Sequence, residues 1–109
     1  MTITEIKNQF PNSYQKLKEF IYNKTKELAF DINDEFFDTF LEAGIQLDPR
    51  AFIDFFDAYE LFIITPYYDN EWYISINGED DKSTLFPSRI NAETQAIQNA
   101  FNILEKELS

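Results

Sequence analysis

LFIITPYYDNEWYISINGEDDKSTLF, residues 61–86, decides the fold. Up to Glu60 the apolar residues recur at helical intervals, and from Leu61 onward they alternate with polar ones. LFIIT (61–65) and EWYISIN (71–77) read as two strands, the second carrying Trp72, Ile74 and Ile76 on one face, with PYYDN (66–70) as the turn region between them. Asn77-Gly78, followed by Glu79, Asp80 and Asp81, reads as a second turn, and STLF (83–86) as a third, short strand. The expected unit is a three-stranded antiparallel meander. Because neighbouring side chains on a strand point to opposite faces, only one of Trp72 and Tyr73 can face the core. Trp72 is assigned inward and Tyr73 outward.

Helical patterns flank this stretch. Downstream, Asn91 is a suitable N-cap for a closing amphipathic helix in which Ala96, Ile97, Ala100, Phe101, Leu104 and Leu108 follow the 3.6-residue period. Upstream, Asp48-Pro49 reads as N-cap and first helical residue, with Phe52, Phe55, Phe56 and Tyr59 on one face and Asp54 and Asp57 on the other. The stretch 31–43 repeats Ile32, Phe36 and Phe40 every four residues, with Phe37 and Leu41 widening the stripe and Gly44 placed to end the helix. A further helix is expected from Pro11 to about Leu28, on Tyr14, Leu17, Phe20, Ile21 and Leu28. A short one precedes it, opened by Thr2 and Glu5 as a capping box and carrying Ile3, Ile6 and Phe10. The predicted architecture is therefore α+β: three or four helices packed on one face of the meander, in a single domain of residues 1–109.

Twelve Phe, six Tyr and one Trp in 109 residues supply a core without staples. Cysteine and histidine are both absent, which removes disulfides, thiol nucleophiles, the usual general base and the commonest zinc ligands. No apolar run reaches the roughly 18 residues that span a bilayer, and MTITEIKNQF has no signal-like apolar core. A cytoplasmic location is expected, with no membrane contact.

Charge is divided unevenly. Residues 27–81 hold fifteen of the twenty carboxylates and a single base, Arg50, whereas the first 26 residues set Lys7, Lys16, Lys18, Lys24 and Lys26 against Glu5 and Glu19. At 100° per residue, Glu27, Asp31, Asp34, Glu35, Asp38 and Glu42 form a band roughly 100° wide opposite the Phe36/Phe40 stripe, and one carboxylate per turn over about 22 Å imitates a row of phosphates. A solvated face that keeps the chain soluble is the plainer account of the same band. The net charge of −11 argues against direct nucleic-acid binding.

Other constellations fail on chemistry. Asp31, Asn33, Glu35 and Glu42 have the spacing of a calcium loop, but Phe36 stands where that loop needs glycine and the helical repeat runs through it. Carboxylate pairs suited to glycoside hydrolysis are numerous and therefore undiscriminating. With two glycines, Gly44 and Gly78, there is no phosphate-binding loop. No catalytic residue, metal ligand or cofactor is expected.

The alternation EWYISIN (71–77), then Ser88-Arg89, then AETQAIQNAFNILEKEL (92–108), resembles small uncharacterised proteins of phages and mobile elements in gut-type bacteria. The resemblance covers about the last fifty residues and implies a mobile-element context, with no activity attached. Together these readings lead to an expected acidic interaction module that occupies a basic, nucleic-acid-binding surface of another protein. Its candidate contact residues are Glu27, Asp31, Asp34, Glu35, Asp38, Glu42, Asp54 and Asp57, with Tyr67, Tyr68 and Tyr73 as an aromatic hairpin patch. The alternative is a self-associating module whose basic first helices meet the acidic middle of a second copy in a homodimer.

Overall fold

A computed structural model describes residues 3–27 and 49–109, an α+β chain. Its elements are α1 (Ile3–Gln9), α2 (Pro11–Glu27), α3 (Pro49–Ala58), β1 (Ile63–Ile64), β2 (Tyr67–Tyr68), β3 (Glu71–Ile76), β4 (Glu79–Phe86) and α4 (Arg89–Leu108). The expected helix over 31–43, its acidic band and the calcium-like spacing lie outside the described residues, as does Asp48. Residues 3–27 and 105–109 fall into one compact unit and 49–104 into another. Among the described residues no helix is long and apolar enough to cross a membrane.

In the first unit, Pro11 separates α1 from α2, since proline has no N–H to donate and restricts the residue before it. The chain nonetheless stays helical on both sides, with Phe10 N–H donating to the Ile6 carbonyl at 2.8 Å and Tyr14 N–H to that of Phe10 at 2.8 Å. Ile3, Ile6, Phe10, Tyr14 and Leu17 are buried where the helical spacing places them, and Ser13 with them; Phe20 and Ile21 of the expected stripe are only half-buried, and Leu28 lies outside the described residues. Lys7 and Lys24 are exposed, Lys7 over the Tyr14 ring and Lys24 over that of Phe20, while Lys16 and Lys18 are half-buried.

The first turn of α2 is capped from a distance. The Glu105 carboxylate accepts the N–H of Ser13 at 2.9 Å, the N–H of Asn12 at 3.3 Å and the Asn12 side-chain amide at 2.7 Å, so two donors that the helix cannot satisfy are taken by an anion at its positive end. Partial burial alone would raise the Glu105 pKa, but the donors from Ser13 and Asn12 outweigh it and hold the group below its usual 4.5. A depressed folded pKa means the contribution is complete above 4.5 and is lost as pH falls through the lower folded value. Glu105→Gln is expected to cost about 1 kcal/mol near neutrality. Denaturation curves of the two proteins should converge in acid, and an equal gap at all pH values would remove the cap from the account.

The second unit is built around β3. Ile63 and Ile64 of β1 stand opposite Ile76 and Ser75, and Tyr67 and Tyr68 of β2 opposite Trp72 and Glu71, all antiparallel and in one continuous register. β1 and β2 are thus a single lane along one side of β3, interrupted where Pro66 has no N–H to give, and Tyr73 N–H still reaches the Pro66 carbonyl at 3.1 Å. β4 occupies the other side of β3. The meander has the expected three lanes, but four strand segments. PYYDN is not wholly a turn: Tyr67 and Tyr68 are paired, and only Asp69 and Asn70 turn, both at positive φ. Asn77 and Gly78 do the same at the next hairpin with φ of 55° and 80°, the geometry that two-residue hairpins require. Asn77 also closes the lane, its N–H donating to the Phe62 carbonyl and its side-chain oxygen accepting from Phe62 N–H at 2.7 Å.

Two further boundaries differ from the sequence reading. β4 begins at Glu79, so the acidic run expected in the turn is strand, and three extra residues bulge between the Ile74–Asp81 and Trp72–Phe86 pairs. The last helix begins at Arg89 and is capped by Ser88, whose hydroxyl accepts Asn91 N–H at 3.1 Å; Asn91 lies inside it. α3 starts at Pro49 and ends with Leu61 N–H on the Phe56 carbonyl and Glu60 N–H on that of Asp57, a Schellman closure that puts Glu60 at φ 60°. The core gathers Phe52, Phe55 and Phe56 of α3 around Phe101 of α4, with Leu61, Ile63 and Ile74 also buried.

Candidate interaction surface

Both faces of the sheet leave large side chains exposed, Tyr67 at 58% on one and three apolar residues in a row on the other. Pairing places Ile63, Trp72, Ile74 and Ile76 on one face, as the alternation predicts, and Ile64, Tyr68, Glu71, Tyr73 and Ser75 on the other. On that second face Phe62, Ile64 and Tyr68 are 54%, 59% and 62% exposed, an apolar row along one lane with half-buried Pro66 between the last two. Soluble surfaces carry single exposed apolar residues routinely, whereas a contiguous row of large ones marks a contact surface. Glu71 stands opposite Tyr68, and Asp80 opposite Ser75, so two carboxylates share the face with the row.

Lys82 belongs to the same cluster, its ammonium 5.1 Å from the Tyr68 ring centre and 5.2 Å from that of Tyr73. The two rings therefore already hold a cation at the distance where aromatic faces attract one. Ser75 is 1% exposed and its hydroxyl has no hydrogen-bond partner.

The three tyrosines expected to form one patch are divided between faces. Tyr68 and the half-buried Tyr73 lie on the face of the apolar row, while Tyr67, itself 58% exposed, packs on Trp72 on the other face, ring centres 5.0 Å apart. Trp72 is half-buried, not fully inside. Tyr67 is displaced because neighbours in a strand cannot share a face, and Tyr67-Tyr68 is strand where a turn was expected. Asp54 and Asp57 are exposed on α3, away from its phenylalanine face, and Asp54 pairs with Arg50 at 3.2 Å. Glu27 ends α2; Asp31, Asp34, Glu35, Asp38 and Glu42 lie outside the described residues. Phe62, Ile64 and Lys82 were missed by sequence reasoning, although continuing the two-residue period of LFIIT through Pro66 to Tyr68 reveals the row.

Among the described residues no group of three or more acidic side chains is gathered to hold a metal ion. What the surface offers is exposed apolar area with two carboxylates and one lysine beside it. No protein-family model, curated protein or solved structure matches the chain.

Proposed function

We propose that the chain is a non-enzymatic acidic interaction module that occupies a basic, nucleic-acid-binding surface of another protein, as an inhibitor carried by a phage or mobile element would. The observation that carries this reading is the exposed row Phe62, Ile64 and Tyr68 with Glu71 and Asp80 on the same face, in a chain of net charge −11. The apolar row supplies area to bury, and the carboxylates choose the sign of the partner. Solubility alone accounts for the acids, but it gives no reason to expose three large apolar side chains in line.

The test is competition. Immobilised chain is presented with a heparin-eluted fraction of bacterial lysate at low and high salt, with and without short duplex DNA. The expected result is a protein retained at low salt, released as salt rises and displaced by the duplex. Retention indifferent to both salt and duplex defeats the reading. Light scattering of the chain alone at the same two salt concentrations separates it from a homodimer, which would dissociate as salt rises.

A further inference from the structure

A pocket of about 260 Å³ opens between the sheet and α4, lined by Ile74, Asp81, Thr84, Phe86, Gln95 and Asn99. It lies on the sheet face opposite the apolar row, since Asp81 pairs directly with Ile74. The volume is below the roughly 300–1,000 Å³ of sites for drug-sized ligands and suits one side chain.

Its chemistry is that of an acceptor. Ser83 donates both its N–H and its hydroxyl to the same oxygen of Asp81, Oδ1, which turns the carboxylate into place and leaves Oδ2 open. Those two bonds, the hydroxyl's first and the N–H's second, keep the group below the usual carboxylate value and therefore charged. Gln95 donates its amide to Asn99 Oδ1 at 3.0 Å, which leaves the Gln95 carbonyl oxygen as a further acceptor, and Thr84 contributes a hydroxyl. The Phe86 ring and the Ile74 side chain supply the apolar part. The unit around the pocket is acidic, with nine carboxylates against Arg50, Lys82 and Arg89 over residues 49–104.

We infer that this pocket receives one arginine side chain of the basic partner at a second contact, on the face opposite the apolar row, the guanidinium fork meeting Asp81 Oδ2, the Gln95 carbonyl and the Thr84 hydroxyl while its plane lies against Phe86; the inference rests on the function proposed above. A guanidinium is planar, permanently charged, weakly hydrated and bears five donors in a fixed fork, so it matches a carboxylate, two neutral acceptors and a ring together. An ammonium is a compact point charge and uses less of the same set. Arginine anchors seated in small pockets are also the residues that dominate protein interfaces.

The test needs no partner. Isotope-labelled full-length chain is titrated by NMR with N-acetyl-arginine amide, and in parallel with the corresponding citrulline and lysine amides. Saturable shifts are expected at the backbone of Asp81 and Thr84 and at the side-chain amides of Gln95 and Asn99, with no response to the neutral citrulline amide and a weaker one to lysine. Asp81→Asn should weaken the arginine probe about tenfold or more. Gln95→Ala, on an exposed helix position that leaves the Asp81 turn intact, should weaken it by a smaller factor. Shifts absent from these four residues, an equal response to citrulline or lysine, or unchanged binding by both variants would overturn the inference. If duplex-sensitive retention from lysate persists in Asp81→Asn, the arginine pocket falls and the proposed function stands. If the probe binds here but no duplex-sensitive retention exists, the function falls instead.

Discussion

Replacing Phe101 by alanine is expected to destabilise the protein by about 3–5 kcal/mol, the cost of an aromatic cavity in a core that cannot collapse to fill it. Phe101 is fully buried, and its ring meets Phe56 at 4.8 Å and 73°, Phe52 at 5.9 Å and 80°, and Phe55 at 6.2 Å. Edge-to-face pairs of this kind add to the area they bury, so truncation removes the aromatic partner of three side chains at once. Domains of this size are stable by about 5–15 kcal/mol, so a loss of this order removes a large share of the total. Asn102→Ala, one residue on and exposed, is the control and should stay within about 0.5 kcal/mol. Urea denaturation ranks the two; equal midpoints would mean that the closing helix packs by another face.

That core was legible because helix periodicity is a local signal: Phe52, Phe55 and Phe56 in one helix and Phe101 in another each sit on an apolar stripe whose inward direction the spacing alone specifies. Asn77-Gly78 was legible for a related reason, since a two-residue hairpin needs two positive φ angles and few residue pairs supply them cheaply. Tyr67 and Tyr68 were misjudged because Pro66 and Asp69-Asn70 are both turn residues, yet Pro66 lost only its own donor and the lane resumed in register behind it. Glu79 to Asp81 read as a turn because charge usually marks one, whereas an outer strand tolerates charge and uses it to discourage further pairing. Nothing in a sequence brings Glu105 to Ser13, 92 residues away, or gathers Asp81, Gln95 and Asn99 around one pocket. Such contacts are set by packing, which is why the arginine pocket has no sequence signature.

The second large effect concerns association, and it separates two surfaces by kinetics. Reversing Asp31, Asp38 and Glu42 together to lysine changes three residues by two charges each, from a net −11 to −5, and leaves Phe36 and Phe40 unchanged. Long-range attraction acts on encounter, so the triple variant should bind the duplex-displaceable partner with an association rate lower by about tenfold or more at low salt, and the difference should shrink as salt rises. The exposed row acts after encounter. Tyr68→Ser, at a residue 62% exposed, should leave the association rate and the fold unchanged while speeding dissociation, by about 2 kcal/mol if Tyr68 is an interface anchor. Surface plasmon resonance reads both rates, and circular dichroism checks that each variant is folded. If the triple variant associates as fast as wild type, these three carboxylates serve solubility and the partner does not read them. If Tyr68→Ser dissociates no faster, the row of Phe62, Ile64 and Tyr68 is outside the interface, and the contact has to be sought on the opposite face of the sheet, where Asp81 opens its free oxygen to the pocket.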